Sequence, residues 1–246
     1  MLHSRIIWIL LLLLPLQYAV AQQDSKDVVF FNRHFVAEPD SNHVLLYGKP
    51  RQVKGNHYQV TFYSFTGQMV GVGNYKGKSF RTRNGEFQYY HRNGQIYLDV
   101  NYSHGMLNGI YKEFHNNGVL ADSGRMDGNE PVGVWKSWYP NGQLLEIRQF
   151  KINSGFRGSH YSTLEGEFVS WFSDGSLKDS GFYKQNEKVG VWIEWLEDGE
   201  VRSVGQYIHD WKKRTWRYYD KRGKLIYLRK FKSLQKDRTG ELIKIG

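Results

Sequence analysis

The sequence contains no cysteine. That absence excludes disulfides, thiolate metal sites and an acceptor cysteine for a bacterial lipid anchor, so stability must come from packing and sheet hydrogen bonds. The signatures of catalysis are missing as well. There is no H-E-x-x-H, G-x-S-x-G or Walker-type stretch. Ser159 stands beside His160, but adjacency in sequence is not a triad. His91 and His115 occupy equivalent places about two strands apart, roughly 10 Å and too far to share one metal ion. The expectation is a non-enzymatic protein with no catalytic residue, no cofactor and no metal site. Long apolar runs are scarce too. The single example, Ile6 to Leu16, follows Arg5 and precedes Ala19-Val20-Ala21, which reads as a secretory signal peptide over residues 1–21, cut before Gln22. No other stretch is apolar enough to cross a bilayer. The mature chain is therefore expected without a transmembrane segment, in the periplasm, at the cell surface or outside the cell.

Acidic residues are thin at one end. Of the net charge of +10, Trp211 to Gly246 contributes 13 Lys and Arg against 3 Asp and Glu, whereas Gln22 to Asp210 holds 20 against 21. The basic character belongs to the last segment, where Trp211, Trp216, Tyr218, Tyr219 and Tyr227 are interleaved with it. Basic and aromatic residues together suit a polyanion. Export favours anionic lipid or polysaccharide over nucleic acid as that polyanion. An edge strand guarded by charge against other sheets would show the same composition.

What the chain has in abundance is one phrase. GVWKSWYPNGQLLEIRQF, from Gly133 to Phe150, reads as a β-hairpin around an Asn-Gly turn. It recurs from Gly85, Gly109, Gly166, Gly190 and Arg214, and more weakly from Tyr58. Most turn glycines, such as Gly94, Gly118 and Gly142, are 24 residues apart, a spacing that signals a repeat architecture. Counting from the leading residue, positions two and five are aromatic, as in Trp135 and Trp138, and position seventeen is Tyr, Phe or Met. Alternation predicts that positions two and five face opposite sides, and that positions eleven and seventeen share one. Gly73, Gly124, Gly181 and Gly205 fall inside outgoing strands, where glycine marks a close approach of a backbone or ring. Glu113, Glu146, Glu194 and Glu197 fit a solvated strand face.

Four segments follow: the signal peptide 1–21, a lead-in 22–57 capping the array, seven hairpin repeats over 58–232, and a basic tail 233–246. Within the lead-in, Asp27 to Phe31 and Val44 to Tyr47 read as strands, and Glu38-Pro39-Asp40 and Gly48-Lys49-Pro50 as turns. Gly142 to Gly175 is 33 residues, nine more than the period. The surplus, within Asn153 to Glu165, is expected to project as a loop carrying partner contacts through Phe156, Arg157, His160 and Tyr161. At the basic end the candidate binding residues are Lys212, Lys213, Arg214, Arg217, Lys221, Arg222 and Lys224, with Trp211 and Trp216.

The phrase G-x-W-x-x-W/Y-x-x-N-G-x-L, with Tyr or Phe late in a 24-residue unit, resembles the MORN repeat in its bacterial variant form, a family that includes YwqK-type antitoxin components. The resemblance implies an all-β fold, an elongated antiparallel sheet of tandem β-hairpins, and a scaffold or binding role without a shared catalytic site. Another protein is then the expected partner. An envelope adaptor for anionic lipid or glycan and an antitoxin- or immunity-like inhibitor of a toxin are the alternatives.

Overall fold

The computed structural model describes residues 28–38 and 44–231, with the backbone of two later strands. Residues 1–27, and with them the expected signal peptide and the cut before Gln22, lie outside the described residues. So do Pro39 and Asp40 of one expected turn, Lys232, and the side chains of the basic tail.

The chain divides into two compact bodies, the first ending at Gly94 and the second beginning at Gln95. In the first, β1 (Val29–Phe31) pairs antiparallel with β2 (Leu46–Lys54), β2 with β3 (His57–Ser64), β3 with β4 (Met69–Lys76) and β4 with β5 (Thr82–Tyr90). Its core is aromatic. The buried Phe31 ring meets Phe62 edge-on at 5.0 Å and Tyr75 at 6.0 Å. Gly48-Lys49-Pro50 is not a turn but part of β2, opposite Phe62, Thr61 and Val60. Glycine is needed there because a Cβ at Gly48 would stand 2.7 Å from the Phe31 ring. Pro50 is tolerated because β1 reaches only to Gly48, so the missing N–H faces a side with no strand among the described residues.

The second body is built of β6 (Ile96–Ser103), β7 (Met106–Phe114), β8 (Leu120–Asp127), β9 (Glu130–Trp138), β10 (Leu144–Ser154), β11 (His160–Leu164), β12 (Gly166–Trp171), β13 (Leu177–Lys184), β14 (Glu187–Trp195), β15 (Val201–Ile208), β16 (Trp211–Tyr219) and β17 (Leu225–Phe231). Each pairs antiparallel with the next, except that β11 and β12 both pair with β10. Two short strands, β18 (Leu234–Lys236) and β19 (Leu242–Lys244), pair with each other.

Two local features fix the repeat. The turns close with a bond such as Gly142 N–H to Tyr139 O at 2.9 Å, and only the glycine has positive φ, 88° at Gly142. The Asn before it serves through its side chain: Asn141 Nδ2 donates to Ser173 O at 2.7 Å and Asn117 Nδ2 to Pro140 O at 2.7 Å, tying each turn to the following one. The second feature is a bulge at position twelve. Leu144 opposes Trp138, but Glu146 opposes Ser137, leaving Leu145 extra. The same shift recurs after Leu120, Leu177, Val201 and Leu225. Cross-strand partners share a face, so position eleven lies with position five and position seventeen with position two. The expected sharing of a face by positions eleven and seventeen is thus overturned, because one extra residue reverses the alternation.

Positions two and seventeen form the buried face. Trp192, Tyr207 and Trp216 are its core, with Phe168, Tyr183, Tyr218 and Phe231 packed on them. The glycines at position fifteen have the expected role. A Cβ at Gly124, Gly181 or Gly205 would come within 2.2 Å of the Trp135, Trp192 or Trp216 ring of the following repeat. Position five, including Trp138, is only half-buried.

Candidate functional site

The last hairpin, β16 and β17, carries the basic candidates, and strand alternation distributes them. Lys212, Arg214 and Trp216 alternate on the buried face, with Lys212 opposite Tyr207 and Trp216 opposite Arg229. Lys213 and Arg217, opposite Gln206 and Val204, lie on the other face. Lys221, Arg222 and Lys224 stand exposed at the turn. From Lys213 to Tyr219, where β16 ends before the turn, is six residues, roughly 20 Å of strand, more than two screening lengths of about 8 Å. The seven residues therefore do not form one surface. Trp216 is not available as a binding residue. It is fully buried, with its indole N–H donating to Gln206 O at 3.2 Å, and presents nothing to a partner. Lys212 is held over that ring, its Nζ 3.8 Å from the centroid, as Lys188 is 4.0 Å over Trp192. Both ammonium groups are thus engaged in cation–π contacts within the sheet. Trp211 is exposed.

Arg214 stands where five other repeats have glycine at positive φ, and it keeps that backbone, with φ 59°. Left-handed backbone strains a residue that has a Cβ, by about 1–2 kcal/mol. Arg214→Gly is expected to stabilise the protein by about 0.5–1 kcal/mol once the extra chain entropy of glycine is subtracted. A urea titration checks this through a raised midpoint at unchanged slope.

The nine-residue surplus is a hairpin, not a loop. β10 runs on to Ser154, a 3₁₀ turn spans Phe156–Gly158, and β11 returns along β10 with Asn153 opposite Tyr161 and Phe150 opposite Leu164. Strand pairing continues because the flanking residues offer partners. Ser162 N–H donates to Glu130 Oε2 at 2.8 Å, its hydroxyl to Pro131 O at 2.6 Å, and Leu164 N–H to Asn186 Oδ1 at 2.7 Å. Phe156, Arg157, His160 and Tyr161 are exposed, Phe156 at 83%, with the Arg157 guanidinium 5.2 Å over its ring.

On the buried face, position four of each strand opposes position thirteen of the next, and the register strings these into one row: Glu113, Asp122, Ser137, Glu146, Ser170 and Asp179, then Glu194 and Ser203. Of the four glutamates expected on a solvated face, Glu197 is exposed, but Glu113, Glu146 and Glu194 are half-buried, because positions four and thirteen lie on the same face as position two. Serines satisfy neighbouring carboxylates, Ser203 Oγ donating to Glu194 Oε2 at 2.8 Å and Ser137 Oγ to Asp122 Oδ1 at 3.1 Å. Arg148, at position fifteen in place of glycine, bonds Asp122 Oδ2 at 2.6 Å and also Glu146. Burial nevertheless pushes the Asp122 carboxyl up. Among the described residues no three His, Asp or Glu gather as a metal would require. The row is internal wiring of the sheet.

Burial also raises the tyrosine phenols on this face. Tyr207 is pushed up to about 12, by burial first and then by the Glu194 carboxylate, and Tyr97, Tyr111 and Tyr183 are raised as well. An unfolded tyrosine loses its proton near 10. Between about pH 10 and 12 the folded chain therefore holds protons that the unfolded chain has lost, and stability falls as pH rises through that window. Denaturant midpoints measured from pH 9 to 11.5 should show this loss, with a shallower slope in Tyr207→Phe.

The opposite face carries a feature that the aromatic pattern concealed. Position one, next to the ring at position two, points away from the core. There Ile110, Val134 and Val191 are 63%, 53% and 48% exposed. Their signal was the branched residue in the phrase G-V/I-W/Y, which reads simply as a strand former until the buried face is known.

Residues 83–104, 107–123 and 131–151 match the MORN repeat variant. Those three stretches are MORN repeat variants, and the all-β, antiparallel hairpin architecture is the one expected of them. No curated protein matches the chain. Two solved structures are similar in part. One is a mutant of TarM from S. aureus in complex with Fondaparinux, alpha-GlcNAc-glycerol and UDP, 10% identical over 46% of this chain and 22% of that one, with a TM-score of 0.25. The other is a porin-like protein from Bacteroides uniformis, 10% identical over 78% of this chain and 59% of that one, with a TM-score of 0.23. The chain thus spans less than two thirds of either. No helix among the described residues is long and apolar enough to cross a membrane.

Proposed function

We propose that this is an exported, non-enzymatic repeat scaffold that binds another protein through the face opposite its aromatic core. The observation that carries the reading is the recurrence of exposed branched residues, Ile110, Val134 and Val191, at one position in three repeats. Ile110 and Val134 are two strands apart, roughly 10 Å. Exposed apolar residues clustered on a face mark interaction sites. The test is a pull-down from the envelope fraction with the chain starting at Gln22, beside the variant carrying Ile110→Lys, Val134→Lys and Val191→Lys. A protein retained by the parent should be lost by the variant at unchanged melting temperature. Equal retention would overturn this face as the binding surface. An inhibitor of a toxin, as in antitoxin or immunity proteins, would be one form of the same role.

A second reading, docking to anionic lipid or glycan, is favoured by the exposed Lys221, Arg222 and Lys224 at the last turn. Each basic group near an anionic surface contributes about 1 kcal/mol. Changing these three to Gln should abolish sedimentation with phosphatidylserine vesicles at low salt.

A further inference from the structure

Among the described residues β17 is paired on one side only, with β16, while β18 and β19 pair with each other. Its residues from Leu225 to Lys230 are all exposed, and the apolar ones are unusually so, from 44% at Leu225 to 59% at Ile226. An open edge of this kind offers a row of backbone N–H and C=O groups to another strand. Side chains on both faces stand ready beside it: Tyr227 and Arg229 on the buried face, opposite Tyr218 and Trp216, and Leu228 and Lys230 on the other. Tyr227 is already stacked on Tyr218, with ring centroids 4.6 Å apart.

Charge decides what fits. From Trp211 to Phe231 there are nine Lys and Arg and one Asp. A second β17 added to this edge would bring two such hairpins together, with like charges in one short ladder. An acidic strand would place carboxylates against Arg229 and Lys230 and its apolar residues against Tyr227 and Leu228. We propose that the free edge of β17 docks an extended, acidic segment of a partner protein, one in which two consecutive branched apolar residues stand beside two consecutive carboxylates so that each face carries one of each, by adding it to the sheet as a further strand. The proposal rests on the protein-binding reading but concerns a different surface from Ile110, Val134 and Val191, so the two can fail separately.

The test uses the full chain and a labelled peptide of repeated Val-Val-Glu-Glu, which places Val and Glu in turn on each face. The parent is expected to bind it, with exchange of the outward-pointing β17 amides slowed at least tenfold. The same peptide N-methylated at every residue keeps its charge but has no N–H to donate from either edge, and should bind at least tenfold more weakly. Arg229→Glu with Lys230→Glu should lose the acidic peptide and accept the Val-Val-Lys-Lys equivalent, with the melting temperature kept. Equal binding of the N-methylated peptide or of poly-glutamate would overturn strand addition and leave only nonspecific attraction. Amides of β17 already protected in the free chain, or protection appearing elsewhere, would overturn the site.

Discussion

Trp192→Ala is expected to destabilise the protein by about 3–5 kcal/mol, the usual loss on truncating a buried aromatic side chain. The ring is 1% exposed. It lies 5.7 Å from Phe168, 5.2 Å from Tyr183 and 6.0 Å from Tyr207, and its N–H donates to Phe182 O at 3.3 Å. Removal would empty a site between two repeats and uncover the backbone of Gly181, which has no side chain to fill it. Trp138→Ala, at the half-buried position five, should cost much less. Guanidinium titrations of the two variants give the comparison, and similar losses would contradict the assignment of faces.

The complementary change is Gly205→Ala. The added methyl would sit 2.2 Å from the Trp216 ring, far inside contact distance. The ring cannot retreat freely, because it packs edge-on against Tyr207 at 5.0 Å and its N–H is bonded to Gln206 O. Overpacking of this sort costs about 1–3 kcal/mol. Gly199→Ala, at a turn with nothing within 4 Å but φ of 87°, would destabilise through backbone strain instead. The distinction is checked by a double-mutant cycle. Trp216→Leu should recover part of the loss in Gly205→Ala, because the two residues compete for one space, and none of it in Gly199→Ala.

The hairpin architecture was legible because it rests on short-range signals: the Asn-Gly turns, the 24-residue spacing and the alternation within each strand. The aromatic ring over each interior glycine, Phe87 over Gly73 and tryptophan over the others, was legible too, since a glycine inside a strand needs a reason. The bulge at position twelve was not. It is set by how the turn closes between Tyr139 and Gln143, and no residue type marks it, since the extra residue is Ala121, Leu145, Lys178, Arg202 or Ile226 in turn. Missing it placed position eleven on the wrong face. The surplus after Asn153 read as a loop because its strand character depends on partners elsewhere, Glu130, Pro131 and Asn186. The basic end was legible as composition, but composition carries no direction. The division of Lys212 from Lys213 between two faces follows from pairing alone.

The ring and the glycine beneath it belong to successive repeats, so the rule for joining repeats is written at each junction and not within a repeat. Excising residues 190–213 would bring Trp216 over Gly181, the same combination that both flanking junctions already use. Excising residues 109–132 would set Trp135 against Val100, a position now opposite the smaller Tyr111. The junction beside the extra hairpin has changed on both sides, with Arg148 where glycine would be and Phe168 where tryptophan would be. Repeats from the two sides of that junction are therefore not interchangeable. An array of this kind lengthens or shortens most readily by blocks that carry a glycine away at one end and return one at the other.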